Sequence, residues 1–216
     1  MNYHHLSIEE RSCIRKYYVD GLSYREIARL VGRNVSTISR EIRRNCTHKF
    51  SDRPRTTVVN GDAENMGDLK KAMQGQDVVY CAISGEALPQ IAENIVAAMG
   101  ECGVKRLIFM GAVGIYNEIP DEIDGEDNLD NEPAQLPNRQ AADIVEASNL
   151  NYTVLRPGYL KEGEETDFVL SVKGEPAKGY ITTIPSLVKL AVQLIADENL
   201  YARESVSITR DAAKEE

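Results

Sequence analysis

Residues 106–116 of this 216-residue chain read Arg-Leu-Ile-Phe-Met-Gly-Ala-Val-Gly-Ile-Tyr. Four apolar residues, from Leu107 to Met110, follow one another without polar alternation, which is typical of a strand buried on both faces of a parallel sheet. Gly111 and Gly114 then interrupt the run, so the chain leaves the sheet through a loop that can pass close to a ligand. In open α/β sheets ligands bind beyond the carboxyl ends of the strands, where we expect this loop.

Strand and helix patterns alternate on both sides of this stretch. The apolar runs predict strands at 57–61, 77–83, 107–110, 152–157 and 205–208, and helices at 68–73, 88–99, 139–147 and 186–196. Such alternation predicts an α/β fold with a parallel sheet and helices on both of its faces.

The charge divides the chain into two parts. Residues 1–50 contain ten Lys or Arg and five Asp or Glu, a net charge of +5. Residues 51–216 have a net charge of −14, so the whole chain has a net charge of −9. We therefore expect a basic module at 1–49, a junction at 50–55 and an α/β domain at 56–216, with the basic module a candidate for binding nucleic acid. The alternative is one domain with a solvated basic face.

The sequence also indicates where in the cell the protein works and whether its cysteines bind a metal. It contains no apolar run of transmembrane length and no signal-peptide pattern, so we expect a cytoplasmic protein that does not contact a membrane. Cys13, Cys46, Cys81 and Cys102 are widely spaced and form no CxxC pair, which favours reduced thiols over disulfides or a zinc site. No metal site is predicted.

Residues 6–45 predict three short helices. Ser7 with Glu10 and Ser23 with Glu26 form capping boxes, Gly32 permits a tight turn, and Asn34 caps the third helix. The predicted apolar sides are Ile14, Tyr17 and Tyr18 on the first helix, Ile27, Ala28, Leu30 and Val31 on the second, and Val35, Ile38 and Ile42 on the third. Two helices joined by a glycine turn, the second of them basic, match the helix-turn-helix pattern.

The face of the third helix opposite its apolar side is suited to double-stranded DNA. Ser36, Thr37 and Arg40 are predicted to contact base edges, and Arg43, Arg44 and Lys49 the phosphate backbone. The alternative is a small helical bundle whose arginines are only solvated.

The run Leu-Ser-Ile-Glu-Glu-Arg-Ser at 6–12 precedes Gly-Leu-Ser-Tyr-Arg-Glu-Ile-Ala-Arg-Leu-Val-Gly-Arg-Asn-Val-Ser-Thr-Ile-Ser-Arg-Glu-Ile-Arg-Arg-Asn at 21–45. Together they resemble the N-terminus of certain insertion-element transposases. This resemblance covers residues 1–49 and implies binding to the terminal repeats of such an element. The DDE catalytic domain of that family is absent, because a different kind of sequence follows at once.

The α/β part resembles the NmrA-like atypical short-chain dehydrogenase/reductases over residues 53–210. The motifs that carry this resemblance are Gly61-Asp62-Ala63, Asp77-Val-Val-Tyr80, Val104-Lys-Arg-Leu-Ile-Phe109, Gly114-Ile-Tyr116 and Tyr152-Thr-Val-Leu-Arg-Pro-Gly158. It implies a Rossmann-like fold that binds NAD or NADP. By the resemblance, Asp62 and Ala63 flank the adenine, Ile83, Ser84 and Gly85 lie along the cofactor, and Pro157 lies near the nicotinamide.

The opening of that fold is missing. A dinucleotide site needs a glycine-rich turn after the first strand, so that the pyrophosphate reaches N–H groups at a helix N-terminus. The chain contains neither GxGxxG nor GxxGxxG, and the family's first strand, glycine turn, first helix and second strand would lie before Arg53. The transposase-like segment stands there instead, so the chain reads as a chimera with an incomplete sheet, and binding of NAD or NADP is doubtful.

The catalytic residues of the family are also missing. By alignment to its pattern, Ala112 stands where the Ser would be, Gln135 where the Tyr would be and Arg139 where the Lys would be. Two interpretations of Arg139 are equally favoured: it contacts the ribose or phosphate of a cofactor, or it is an ordinary arginine on the surface of a helix. Tyr116 is a weak candidate for a general acid, and packing beneath the loop is its favoured role.

Three functions follow from these readings. The first is a non-catalytic or vestigial NAD(P)-binding protein, the second a DNA-binding remnant of a transposase, and the third an active NAD(P)H-dependent oxidoreductase. Loss of the first two strands also exposes the apolar edge of the strand at 77–83, which invites pairing with another copy of the chain.

Overall fold

The computed structural model describes residues 6, 8–19, 21–45 and 58–214. The chain divides into two compact units, Met1–Val59 and Asn60–Glu216. The first unit contains α1 (Ile8–Val19), α2 (Tyr24–Val31) and α3 (Val35–Asn45). Its core consists of Ile14, Ile27, Ala28, Ile38 and Ile42, all buried.

The turns of this helical unit follow the prediction. The Ser23 hydroxyl accepts the Glu26 N–H, and the Glu26 carboxylate accepts the Ser23 N–H at 2.8 Å, which closes the predicted capping box. Gly32 ends α2 with a left-handed φ of 67°, and Asn34 Oδ1 accepts the Ser36 N–H at 2.9 Å at the start of α3. Three of the expected helix boundaries are thus confirmed.

Two apolar positions were assigned wrongly. Leu30 is 58% exposed and Val35 is 40% exposed, because each lies at the margin of its helix's apolar face and not at its centre. In the other expected capping box, Ser7 lies outside the described residues, and the Glu10 carboxylate accepts hydrogen bonds from Arg33 Nε at 2.7 Å and Nη2 at 3.0 Å.

The second unit is an α/β fold with seven strands and four α-helices in its described part. In chain order these are α4 (Met66–Met73), β1 (Val78–Cys81), α5 (Leu88–Cys102), β2 (Arg106–Met110), α6 (Leu136–Ala147), β3 (Asn151–Pro157), β4 (Tyr159–Lys161), β5 (Val169–Val172), β6 (Ile181–Thr183), α7 (Ile184–Ala196) and β7 (Glu204–Thr209). The main sheet has the order β1-β2-β3-β7-β5, and a small second sheet pairs β4 with β6.

The predicted buried strand is at the heart of this sheet. β2 pairs in parallel with β1 and β3, and β3 pairs in parallel with β7. Leu107 and Phe109 belong to the core that α5 and α6 complete, whereas Ile108 belongs to the core under α7. Since alternate residues of a strand point to opposite faces, helices cover both faces of the sheet, as predicted.

Other parts of the chain differ from the prediction. Residues 58–60 form no strand, and Val58 is 65% exposed. The reason is that the described chain provides no neighbouring strand with which they could pair. Thr57 lies outside the described residues.

Strands β4, β5 and β6 were not predicted, and β5 is antiparallel to β7, so the sheet is only mostly parallel. β1 is equally short, but it lies in the apolar run Val78–Ile83, whereas β4, β5 and β6 lie in apolar runs of at most three residues, too short to indicate a strand.

Candidate functional site

The carboxyl ends of β1, β2 and β3 meet at one edge of the sheet, because these strands are parallel. Ile83, Ser84 and Gly85 follow β1 at this edge and are exposed. Beyond β2, the Gly111 N–H donates to Leu155 O and the Val113 N–H to Pro157 O, both at 2.9 Å. Ala112 therefore lies beside Pro157, and five of the eight residues assigned to a cofactor lie at this edge: Ile83, Ser84, Gly85, Ala112 and Pro157.

The start of α6 meets the same loop. Gln135 Nε2 lies 3.4 Å from Val113 O, and Arg139 Nη1 donates to Ile115 O at 3.3 Å. The structure thus brings together Ala112, Gln135 and Arg139, the three residues that the resemblance assigns to the family's Ser, Tyr and Lys positions.

The guanidinium group of Arg139 is already engaged within the fold. Its Nε donates to both carboxylate oxygens of Asp143, at 3.0 and 2.9 Å. Its Cζ lies 4.8 Å from the centre of the Tyr116 ring, a distance at which a cation is attracted to an aromatic face. The side chain is 34% exposed, so this arginine faces solvent on one side only.

Tyr116 is packed against α6 and does not have the properties of a proton donor. Its hydroxyl donates to Glu146 Oε1 at 2.6 Å, and Lys173 Nζ donates to Glu146 Oε2. Burial and the hydrogen bond to Glu146 raise the pKa of Tyr116 well above its ordinary value. A general acid in this family needs a lowered pKa, so the geometry favours the packing role.

A buried ion pair beneath the loop was missed by the sequence analysis. Arg156, fully buried on β3, forms a salt bridge with Glu118 and donates from Nε to Ser205 Oγ at 3.1 Å. Burial lowers the pKa of Arg156 to about 10, which leaves the guanidinium group charged at neutral pH. The signal was present in the sequence, since a charged residue interrupts the apolar run of β3 and a buried charge requires a partner.

Gly114 is required by the protein's own backbone. Its φ is 91°, and a Cβ added there would lie 2.5 Å from the carbonyl oxygen of Asp127. Its own carbonyl accepts the N–H groups of Asn117 and Leu129 at 3.0 Å. The glycine holds the loop of residues 114–129 in place, independently of any ligand.

Asp62 and Ala63 lie apart from a strand end. Asp62 Oδ1 accepts the Glu64 N–H at 2.9 Å, and the Asp62 N–H donates to Asp68 Oδ2 at 3.0 Å. Ala63 packs against the core that contains α5. The two residues form the turn before α4, and no strand leads into this turn in the described part of the chain.

The helical unit presents three of the five residues assigned to DNA. Ser36 and Arg40 are exposed on α3, and Thr37 is half-buried. The Ser36 hydroxyl donates to Asn34 Oδ1 at 2.9 Å, so it also serves the start of the helix. Arg43 and Arg44 belong to α3, but their side chains, like Lys49, lie outside the described residues. Arg25 and Arg29 on α2 are also exposed, which the sequence analysis did not single out.

The described residues contain neither a membrane-spanning helix nor a cluster of metal ligands. None of their helices is long and apolar enough to cross a membrane. Among the same residues, no group of three or more His, Cys, Asp or Glu side chains is placed to hold a metal ion.

Family profiles match both parts of the chain. A profile described as NAD(P)H-binding matches residues 27–198, and one described as a helix-turn-helix domain matches residues 2–45. The two matches overlap at 27–45, where the structure has the end of α2 and all of α3. No curated protein matches the chain.

Solved structures resemble this chain over more than two thirds of its length. A Rossmann-fold NAD(P)-binding family protein from Shigella flexneri is 37% identical, with a TM-score of 0.59 over 69% of this chain and 68% of its own. A short-chain dehydrogenase/reductase from Veillonella parvula, ethylated, is 27% identical, with a TM-score of 0.66 over 74% of each chain. A wide-type one from Veillonella parvula, solved in complex with NADP, is 26% identical, with a TM-score of 0.68 over 78% of this chain and 79% of its own.

The profile match extends over more than half of the chain, and the fold, its sheet edge and the Shigella flexneri relative agree with it. The chain therefore belongs to the NAD(P)H-binding family of Rossmann-fold proteins, with a helix-turn-helix domain at its start.

Proposed function

We propose that the α/β unit is an NmrA-like member of the atypical short-chain dehydrogenase/reductases that has lost catalysis and keeps only a vestigial NAD(P) site. The observation that carries this proposal is the use made of the residues at the family's catalytic positions. Ala112 has no polar side chain, Gln135 holds the loop, and Arg139 is paired with Asp143. An amide cannot donate a proton as a general acid at neutral pH.

The cofactor side of the proposal rests on the sheet edge. Ile83, Ser84, Gly85, Ala112 and Pro157 still line one edge of the sheet, where a dinucleotide binds in this fold. In the described part of the chain, however, no glycine-rich turn joins a strand to a helix N-terminus at this edge. The pyrophosphate therefore lacks the backbone N–H groups that anchor it.

Titration calorimetry with NADPH and NADH tests the proposal. We expect no saturation below about 1 mM, the weak end of specific affinity, and no oxidation of NADPH in the presence of carbonyl substrates. The wide-type Veillonella parvula protein, whose structure contains NADP, is the positive control. Micromolar binding by a cooperatively folded sample of this chain would show that its site is intact and would overturn the proposal.

For the helical unit we propose binding to double-stranded DNA through α3. A glycine turn joins α2 to α3, Arg40 and Ser36 are exposed on α3, and the helix-turn-helix profile covers the unit. In this motif the second helix enters the major groove and its exposed side chains reach bases and phosphates.

Fluorescence anisotropy with duplexes that carry insertion-element ends tests this second function. Arg40→Ala is expected to weaken binding about tenfold, since one good arginine contact contributes about 1–3 kcal/mol. Lys16→Ala on α1, which also removes one exposed positive charge, is the matched control and should change the affinity much less. Equal effects of the two variants, or an affinity that does not fall with salt, would contradict specific docking of α3.

A further inference from the structure

One flank of α7 is apolar and uncovered. Ile184, Val188, Val192 and Ile195 are between 47% and 58% exposed, and their spacing of four, four and three residues places them along one side of the helix. The side chains that face the sheet are different ones, Leu187, Leu190 and Leu194, and they are buried.

The contacts of α7 show which way this flank faces. Ser186 Oγ donates to Asp167 O at 3.0 Å, and Lys189 Nζ donates to Thr166 O at 3.2 Å. These partners belong to the segment that enters β5, at the far edge of the sheet. The apolar residues lie on the opposite flank of the helix, which is the flank on the side of β2 and β1, and they remain about half exposed there.

β1 is open at the edge next to this flank. In the described part of the chain it pairs only with β2, so its other side presents unpaired backbone groups. Tyr80 is 37% exposed and Ile83 is 36% exposed. Val78 and Met110, which pack at the margin of the α7 core, are only partly buried. An open apolar edge and an open apolar helix flank thus adjoin on one face of the sheet.

The handedness of Rossmann sheets explains why these two surfaces belong together. Right-handed crossovers place α5 and α6 on one face, because the chain moves from β1 to β2 to β3 in one direction. A strand added outside β1 begins the other half of the sheet, which is built in the opposite direction, so its helix must lie on the opposite face. That is the face of α7, and the helix would pack beside Val188 and Val192.

We infer that the β1 edge and the apolar flank of α7 form one docking surface for a strand, glycine-rich turn and amphipathic helix supplied by a second polypeptide. The inference rests on the proposed function, in which the described part of this unit lacks those elements. This chain matches 68–79% of the lengths of three solved relatives, so each relative has further segments that this chain does not match. A second copy of this chain fits less well: pairing through β1 would leave the α7 flank bare, because the copy's own helix on that face lies over β2, β3 and β7.

The probe is the first strand, glycine-rich turn and first helix of the Shigella flexneri relative, fused to a soluble carrier. Titration of the full chain with this fusion should give saturable binding, whereas the carrier alone gives none. Val192→Glu should weaken binding at least tenfold, because it places a charge in the apolar contact. Gln193→Glu, next to it on α7 and exposed, adds the same charge outside the flank and should leave binding unchanged. Proline in the strand of the probe should abolish binding, since it removes a ladder hydrogen bond.

Three results would overturn the inference: no binding by a folded sample, equal effects of Val192→Glu and Gln193→Glu, or a stable dimer of this chain from which the probe is excluded. NADPH titration of the chain without the probe tests the proposed function separately. Tight NADPH binding by the chain alone would refute the vestigial site, and binding of the probe would still decide the docking surface.

Discussion

Gly114 is a residue whose role can be tested against a second glycine of the same unit. Gly114→Ala should lower the free energy of unfolding by on the order of 2–3 kcal/mol, since the methyl group meets the Asp127 carbonyl and φ is positive. Gly100 lies within α5, and a Cβ there meets nothing within 4 Å. Gly100→Ala should therefore raise stability by about 0.5–1 kcal/mol. Urea denaturation measures both, and effects of the same sign would contradict the assignment of Gly114.

Tyr116 allows the packing role to be separated from a chemical one. Tyr116→Phe should reduce the free energy of unfolding by about 1 kcal/mol, because the hydrogen bond to Glu146 is lost. Tyr159→Phe, at a side chain 64% exposed, should change it by less than about 0.5 kcal/mol. No effect of Tyr116→Phe in urea denaturation would mean that the hydroxyl does not stabilise the loop.

The pH dependence gives a second test of the same residue. Because the pKa of Tyr116 is raised in the folded state, the folded protein holds this proton when the unfolded chain has lost it. The stability that the proton provides is complete below the unfolded pKa of about 10 and declines as the pH rises above it. The native chain should therefore lose its advantage in the free energy of unfolding over Tyr116→Phe between about pH 9 and pH 11. This is roughly the range in which the tyrosine of the unfolded chain loses its proton. A constant difference would contradict the raised pKa.

These residues also show what a sequence can and cannot supply at this scale. The apolar composition of Leu107 to Met110 was sufficient to predict a buried strand. The spacing of Ser23 and Glu26 was sufficient to predict the capping box. The partners of Arg156 and Tyr116 are far away in the chain: Ser205 and Glu146 reach them only after β7 and α6 have folded onto the sheet. Gly114 was interpreted as making room for a ligand for the same reason. The carbonyl group that requires a glycine there belongs to Asp127, which is distant in the sequence.

Among the elements, α2 provides the clearest link between sequence and stability. Ser23→Ala removes the side-chain cap and should destabilise the helix by about 1 kcal/mol. Hydrogen exchange of the α2 amides in the full chain should become correspondingly faster, while the amides of α5 keep their protection. Unchanged exchange in α2 would mean that packing of Ile27 and Ala28 alone holds this helix.

Elements were predictable where a clear apolar pattern marks them in the sequence. α5, α6 and α7 each have a dozen or more residues with periodic apolar positions, and all were expected. The apolar letters at Val58 and Val59 look the same as those of β1, but a strand exists only where a neighbour offers its backbone. In β4 and β6, by contrast, strands form without a clear pattern in the sequence. Each has only three residues, and they form a strand because the fold places Tyr159 beside Ile181.

On the scale of the whole molecule, the two units have cores made from separate stretches of chain. Ile38→Ala should cost the helical unit about 2–4 kcal/mol, because it opens a cavity among fully buried side chains. Hydrogen exchange should then report loss of protection in α1, α2 and α3, with β2 and β3 unaffected. Loss of protection in the sheet as well would show that the units fold as one.

The order of the strands also has a consequence for synthesis. β5 precedes β7 in the chain, but within the described residues its one pairing partner is β7, which lies between it and β3. The stretch from β1 to β3 contains successive neighbours and can assemble as it leaves the ribosome. The segment that contains β5 must wait until the chain has grown as far as Thr209. During that interval Arg156 has no Ser205 to accept its hydrogen bonds, and the apolar side of β5 is available to whatever binds nascent chains.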